Sequence, residues 1–264
     1  LYIGGALQEV VENTSAIIAA NGGANSGSIQ AATRGGKLYA YPMTADNGYF
    51  LFYDKSVYTT TDVLTLDGIL AAAQADGSKF TMQINNGWYL YSFFKGAGLT
   101  LSYDGTVNTC DWDSTSHTPA GADVVRSIIA MANHAAYINL TDAEFVTGLR
   151  DGTITAGVNG TWNAAVAEAK WGDNYAATKL PTFEVDGTDY QMGSFAGYKL
   201  VGVNATSDFT YSAMMLAEWF TNEENQILRF ESRGLGPSNM NAASSASVMT
   251  NPAISALALQ SAYA

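Results

Sequence analysis

Apolar residues recur at helical spacing along much of this chain. Residues 65–75 carry such a stripe and Gly77 follows it, which predicts a helix that ends near this glycine. A second stripe follows Thr118, where Pro119 suits the first position of a helix. Further helices are predicted at 88–95, 141–152, 163–171, 208–221 and 223–233, and from Pro252 onward.

Short alternating or aromatic segments between these stripes are typical of strands. They are residues 37–42, 49–53, 79–84, 153–158 and 198–203. Strands that alternate with helices of this length favour layered α/β architecture, in which most strands are parallel. We therefore predict an α/β fold with mainly parallel strands.

Two tryptophans occupy the same place in this pattern. Trp88 and Trp162 each follow a predicted strand, at the point where the chain turns into the next helix. In open α/β sheets, strand carboxyl ends and helix N-termini line the ligand crevice. Flat aromatic faces can cover the C–H faces of a sugar ring, while Asp, Asn and Gln pair with its hydroxyls. Both tryptophans are predicted to be stacking platforms. Tyr89 could contact ligand or pack inside, and Asn86 could contact ligand or cap the helix.

A polar corner separates two aromatic strands at residues 40–55, which read AYPMTADNGYFLFYDK. Short links of this kind can absorb large dihedral changes and act as hinges. The corner would bring a carboxylate, Asp46, and an amide, Asn47, to a bend where a ligand could bind. Asp46 could equally serve to stabilise the turn.

Charge and composition disfavour several classes of partner and site. The 264 residues include 24 acidic and 12 basic side chains, a net charge of -12, which disfavours nucleic acid and anionic membranes as partners and suits a neutral ligand. One cysteine and two histidines argue against a disulfide or a metal site. No cofactor is implied, and no signal sequence or apolar run of membrane-spanning length is recognisable.

Several segments, in order, resemble family 1 extracellular solute-binding proteins, the maltose-binding-protein-like group. They are 40–55, 80–94 (FTMQINNGWYLYSFF), 145–162 (FVTGLRDGTITAGVNGTW), 180–183 (LPTF), 193–197 (GSFAG), and 221–226 with 234–237 (TNEENQ, GLGP).

The resemblance implies a two-lobed, type II periplasmic-binding-protein-like fold whose first lobe is incomplete. Lobe I is predicted at 1–46 and 198–245, and lobe II at 47–197 and 246–264. The family's opening strands and last helices have no counterpart, so the chain is expected to be truncated at both ends and poorly stable alone. The predicted substrate-binding residues are Asp46, Asn47, Asn86, Trp88, Tyr89, Asn159, Trp162 and Ser194.

By the same resemblance, the protein is expected to bind a neutral, maltodextrin-like oligosaccharide in the interlobe cleft. It would deliver this sugar, as a monomer, to the membrane permease of an ABC importer. Its location would be extracytoplasmic, in the periplasm or lipid-anchored at the cell surface. Two alternatives stay open. One is a carbohydrate-binding protein without a transport role, and the other is a glycoside hydrolase that uses Asp111 and Asp113 as paired carboxylates.

Overall fold

The computed structural model describes residues 1–264, which form two compact units. The first unit comprises residues 1–47 and 196–254, and the second comprises 48–195 and 255–264. The chain passes from the first unit to the second for the last time after Ile254. The sequence placed this boundary at residue 245. No helix is both long and apolar enough to cross a membrane.

Helices and strands alternate through most of the chain. The helices are α1 (Thr14–Ala20), α2 (Gly27–Ala32), α3 (Leu66–Asp76), α4 (Gly87–Gly96), α5 (Gly121–Ala132), α6 (Asp142–Asp151), α7 (Ala164–Trp171), α8 (Thr210–Thr221), α9 (Glu223–Arg233), α10 (Met240–Ala243), α11 (Ala246–Met249) and α12 (Pro252–Gln260). The strands are β1 (Thr33–Arg34), β2 (Lys37–Leu38), β3 (Tyr41–Thr44), β4 (Phe50–Asp54), β5 (Lys79–Thr81), β6 (Leu101–Tyr103), β7 (Asn108–Cys110), β8 (Tyr137–Ile138), β9 (Ile154–Asn159), β10 (Tyr175–Thr178), β11 (Thr182–Val185), β12 (Thr188–Gln191) and β13 (Lys199–Val201).

The second unit is built on a five-stranded sheet of order β10-β4-β9-β5-β8. β5 pairs in parallel with β8 and β9, but β4 pairs antiparallel with β9 and β10. Two of the four pairings in this sheet are thus antiparallel, although the strands other than β4 share one direction, as the sequence predicted. Four strands run in one direction, as helical connections require. β4 runs the opposite way between two of them, because it starts at the edge where β9 ends.

Strand β4 is buried on both faces, which explains its uninterrupted apolar sequence. Tyr49, just before the strand, and Leu51 belong to the core cluster that also contains Ile69 of α3. Phe52 faces the other way and contacts Phe145 of α6. Helices thus cover both faces of the sheet, and this burial stabilises the strand that leads into the second unit.

Two hairpins extend the second unit. β11 and β12 are joined by Asp186 and Gly187, whose φ values of 50° and 81° are those of a tight two-residue hairpin turn. β6 and β7 form an exposed hairpin. Neither hairpin was predicted.

Helix α5 begins later than predicted. Ala120 is its N-cap and donates its N–H to Asp123 Oδ2 (3.1 Å).

The first unit has a smaller core. β3 pairs antiparallel with β13, while β2 pairs with β1, so the single strand predicted over 37–42 is divided in two. Tyr41 of β3 packs with Met214 and Ala217 of α8. The opposite side of α8 exposes large apolar side chains, namely Leu216, Trp219 and Phe220. Gly234 ends α9 in the left-handed conformation (φ 67°), which matches the end of the helix predicted at 223–233.

A buried phenol should make the second unit sensitive to alkali. Burial raises the pKa of Tyr58 to about 12, and its hydroxyl lies 3.0 Å from Thr155 Oγ1. Because the folded pKa exceeds the unfolded value of about 10, this stabilisation is complete below pH 10. It is lost as the pH rises from about 10 to about 12, and we expect roughly 2 kcal/mol of unfolding free energy to disappear there.

Denaturant titrations over this pH range check the expectation. Tyr58→Phe should make the alkaline loss of stability smaller by about this amount, while the other buried tyrosines of the unit keep their contributions. Thr155 keeps Ser78 Oγ as a partner at 2.6 Å. Tyr211→Phe changes an exposed tyrosine of α8 and serves as the control. Equal alkaline losses in the parent and in Tyr58→Phe would contradict the assignment.

Candidate functional site

One edge of the five-stranded sheet collects polar and aromatic side chains. Because β5, β8 and β9 are parallel, the segments that follow them emerge at the same edge. These segments are 82–88, 139–142 and 160–163. β4 starts at this edge too, since Phe50 pairs with Asn159 at the end of β9. The sheet edge therefore brings together Asn86, Trp88, Asn159 and Trp162, four of the residues predicted as ligand contacts.

Trp162 offers an exposed aromatic surface at this edge. It lies in the turn Thr161–Asn163 after β9 and is 37% exposed. Its Nε1–H donates to Asp142 Oδ1 at 3.0 Å. The ring also lies against the Cα of Gly160, where an added Cβ would overlap the six-membered ring. The indole is thus fixed both at its edge and on one side.

Trp88 is held at the start of α4. Asn86 caps this helix by accepting the Trp88 N–H on its Oδ1 at 3.0 Å. The Trp88 ring stacks on Phe195 (centroids 4.7 Å apart, planes 16° apart) and meets Tyr49 edge-on at 5.7 Å. Phe195 also stacks on Tyr91 at 4.0 Å. Trp88 is only partly buried, and part of its aromatic surface is used in packing within the second unit.

Close backbone approach lets this aromatic stack form. Gly193 donates its N–H to the Ser92 carbonyl of α4 at 2.9 Å. An added Cβ on Gly96 would overlap the carbonyl oxygen of Gln191, so a side chain there has no room. These contacts hold the segment that carries Phe195 against the helix that carries Trp88.

Three other predicted residues of the second unit are buried. Tyr89 packs 5.0 Å from Tyr49, and burial, with the Asp142 charge as a smaller cause, raises the pKa of Tyr89, which keeps its phenol neutral. Asn159 Oδ1 accepts the Gly160 N–H at 2.8 Å. The Ser194 N–H donates to the Tyr263 carbonyl at 3.2 Å. Their contacts support the shape of the sheet edge, and their roles as ligand contacts stay predictions.

The two predicted residues of the first unit lie just after β3. Asp46 is 1% exposed, and its Oδ2 accepts the Gly236 N–H at 2.7 Å. Lys199 Nζ lies 3.9 Å from Asp46 Oδ1. Asn47 is half-buried and donates its N–H to the Gly197 carbonyl at 3.2 Å. These contacts fit the turn-stabilising role considered for Asp46. A role for either residue in ligand binding stays a prediction.

Asp142 and Phe195 were not among the predicted site residues. Asp142 lies at the start of the helix predicted at 141–152, where Thr141 and Glu144 form a capping box for α6. Its contact with Trp162 spans 20 residues, so no local pattern reveals it. Phe195 was visible as the aromatic residue of the GSFAG segment, but its stacking on Trp88 depends on tertiary packing.

The carboxylates considered for hydrolysis have a different environment. Asp111 accepts the Thr100 N–H at 2.6 Å, and this bond is the main reason that the pKa of Asp111 lies below its ordinary value. A glycosidase acid must hold its proton near neutral pH, which requires a raised pKa. Asp111 is therefore a poor candidate for that role.

Comparison with protein families identifies the chain's relatives. The family described as bacterial extracellular solute-binding protein matches residues 5–256. The chain belongs to this family. The family predicted from the sequence is thereby confirmed, and so is the mixed α/β fold of two-lobed, maltose-binding-protein-like proteins. No curated protein matches the chain.

Several solved structures resemble this member of the solute-binding family. One, solved with acarbose, is 29% identical, with a TM-score of 0.86 over 99% of this chain and 67% of that chain. The maltodextrin binding protein MalE1 from L. casei BL23, without ligand, is 26% identical, with a TM-score of 0.79 over 97% of this chain and 66% of that one. The Thermus thermophilus maltotriose binding protein bound with maltotriose shares the fold at 19% identity, with a TM-score of 0.77 over 99% and 69%. The chain thus spans about two thirds of the length of these relatives.

Proposed function

We propose that this solute-binding protein binds a neutral, maltodextrin-like oligosaccharide and serves as the substrate-binding component of an ABC importer. The observation that carries the proposal is the exposed indole of Trp162, fixed beside the polar groups of the sheet edge. Two relatives above 25% identity point the same way, because one was solved with acarbose and the other is a maltodextrin binding protein.

The chemistry of the sheet edge suits a sugar. A pyranose has an apolar C–H face that an indole can cover, and hydroxyls at its rim that carboxylate and amide groups can bind. Trp162 supplies the aromatic face, and Asn86 supplies an amide side chain at the same sheet edge. A sugar that lacked a bound hydroxyl would leave a polar group unpaired, at a cost of about 1–3 kcal/mol. This cost gives the site its selectivity.

The charges at the edge favour a neutral ligand. Residues 82–89, 139–142 and 159–163 contain no lysine or arginine, while Asp142 contributes a carboxylate. An anionic sugar brought to this edge would meet like charge and lose hydration without a cationic partner.

Transport requires a membrane partner, which we infer from the family. The protein would act outside the cytoplasm, in the periplasm or anchored by lipid to the cell surface, as a monomer that meets its permease with sugar bound. Stimulation of the ATPase of a reconstituted permease by the sugar-loaded protein tests this step. A carbohydrate-binding protein without a transport role would bind sugar and leave the ATPase unchanged.

Calorimetry with a panel of neutral oligosaccharides tests the sugar proposal. We expect saturable binding of a linear maltodextrin, and no release of reducing sugar during prolonged incubation with it. Absence of binding across the panel would overturn the proposal. Steady production of reducing ends would instead favour a glycoside hydrolase.

Salt dependence provides a further prediction. Binding of a neutral oligosaccharide forms no ion pair, so its affinity should change little between low and physiological ionic strength. An acidic oligosaccharide of the same length is the matched control ligand, and it should bind far more weakly. Calorimetry at two salt concentrations measures the salt dependence of both affinities. Tight binding of the acidic sugar that weakens steeply with added salt would show that the ligand class is wrong.

A further inference from the structure

Asp142 is the first residue of α6, and one of its carboxylate oxygens joins two side chains of the neighbouring turn. Asp142 Oδ1 accepts from Trp162 Nε1 at 3.0 Å and from Asn163 Nδ2 at 2.9 Å. Asn163 is buried, so it provides a fixed anchor for this arrangement. A carboxylate is also favoured at the N-terminus of a helix, which helps to hold the Asp142 side chain in place.

Gly160 restrains the same indole from another direction. Its Cα lies against the six-membered ring of Trp162, where any added Cβ would overlap ring atoms. The pyrrole edge is therefore tied to Asp142, and the benzene ring rests on backbone. Because an exposed tryptophan without such contacts samples several rotamers, these two restraints select one orientation before any ligand arrives.

We propose that Asp142 is a positioning residue for sugar binding, which holds the Trp162 indole in the orientation that a sugar ring stacks on. The inference rests on the proposed function, because it assigns Trp162 as the stacking surface. Asp142 acts through Trp162, and its effect on affinity comes from ordering the platform before binding.

Two substitutions separate the hydrogen bond from the charge. Asp142→Ala removes the acceptor and the charge, whereas Asp142→Asn removes the charge and keeps an oxygen acceptor. Asp142 is exposed and its Oδ2 accepts no hydrogen bond from the chain, so the new amide nitrogen can point to solvent. Both variants lose the same charge at the start of α6, which makes the asparagine variant the matched control.

The first readout is the solvent exchange of the Trp162 indole N–H in a spectrum of ¹⁵N-tryptophan-labelled protein, assigned by its loss in Trp162→Phe. We expect slow exchange in the parent and in Asp142→Asn, and exchange at least about tenfold faster in Asp142→Ala. This measurement needs no ligand. It therefore tests whether Asp142 orders the Trp162 indole even if no sugar in a panel binds. Failure of every sugar to bind would overturn the proposed function, but it would leave the ordering of the indole by Asp142 to be decided by the exchange rates.

The second readout is affinity for a neutral maltodextrin by calorimetry. Asp142→Ala should weaken binding about tenfold, and Asp142→Asn should bind within about twofold of the parent. Gly160→Ala should weaken binding as well, with Asp142 intact, because it displaces the same ring. The proposal is overturned by unchanged indole exchange in Asp142→Ala. It is overturned equally by faster exchange with unchanged affinity, or by Asp142→Asn losing as much affinity as Asp142→Ala.

Discussion

Trp162→Ala should weaken binding of a neutral oligosaccharide by at least about 1 kcal/mol, because it removes the exposed ring on which we expect the sugar to stack. The loss should appear in calorimetry as a higher dissociation constant with the binding stoichiometry unchanged. The substitution leaves the sheet intact, since Trp162 lies in a turn after β9 and is 37% exposed.

Trp219→Ala is the matched control for this experiment. Trp219 is a surface tryptophan of α8 in the first unit, with 55% of its surface exposed. Trp219→Ala removes a similar exposed aromatic surface, and Trp219 is distant in sequence from the residues of the sheet edge. The substitution should leave sugar affinity unchanged. Equal affinities for the parent and a folded Trp162→Ala variant would refute the role of Trp162.

Gly96→Ala should destabilise the second unit by about 1–3 kcal/mol, the range for overpacking a tight contact. The added methyl group would overlap the Gln191 carbonyl oxygen and lie 3.1 Å from Met192 Cα, and both are backbone atoms that cannot rotate away. Relief requires α4 to move from the 191–195 segment, which should also disturb the stacking of Trp88 on Phe195.

Gly87→Ala is the control within the same helix. No atom lies within 4 Å of a Cβ built at Gly87, the first residue of α4. Its substitution should be neutral or slightly stabilising, because alanine has the higher helix propensity. Urea titrations of the two variants compare them directly. If both glycines tolerate alanine equally, the close approach of α4 to residues 191–192 is not needed for stability.

Local sequence patterns predicted most elements of this fold. The stripe at 65–75 became α3, and the left-handed Gly77 ends it as expected. The aromatic run at 49–53 became the buried strand β4. These features depend on spacing and on turn chemistry, both of which are present in the sequence itself.

The direction of β4 and the β11–β12 hairpin were both missed, for different reasons. The reversed position of β4 between β9 and β10 is set by where the chain enters the second unit, and no local pattern encodes this. The Asp186-Gly187 pair, by contrast, is a strong hairpin signal between alternating residues. It was present in the sequence and was not used.

At the candidate site, too, local sequence patterns do not encode contacts between residues that are distant in the chain. Trp88 and Trp162 could be chosen because each follows a strand and begins a helix. The partners that orient them, Phe195 and Asp142, are distant in sequence and were not predicted. A single sequence indicates which aromatic residues reach the sheet edge, whereas their orientation depends on packing between elements that meet only in the fold.

A crystal structure with a bound neutral maltodextrin tests the central claim most directly. We expect a pyranose ring packed flat on the exposed face of Trp162, with its carbon atoms about 4 Å from the indole. The Trp162 Nε1–H should still donate to Asp142. A sugar bound elsewhere, with the Trp162 ring uncovered, would contradict it.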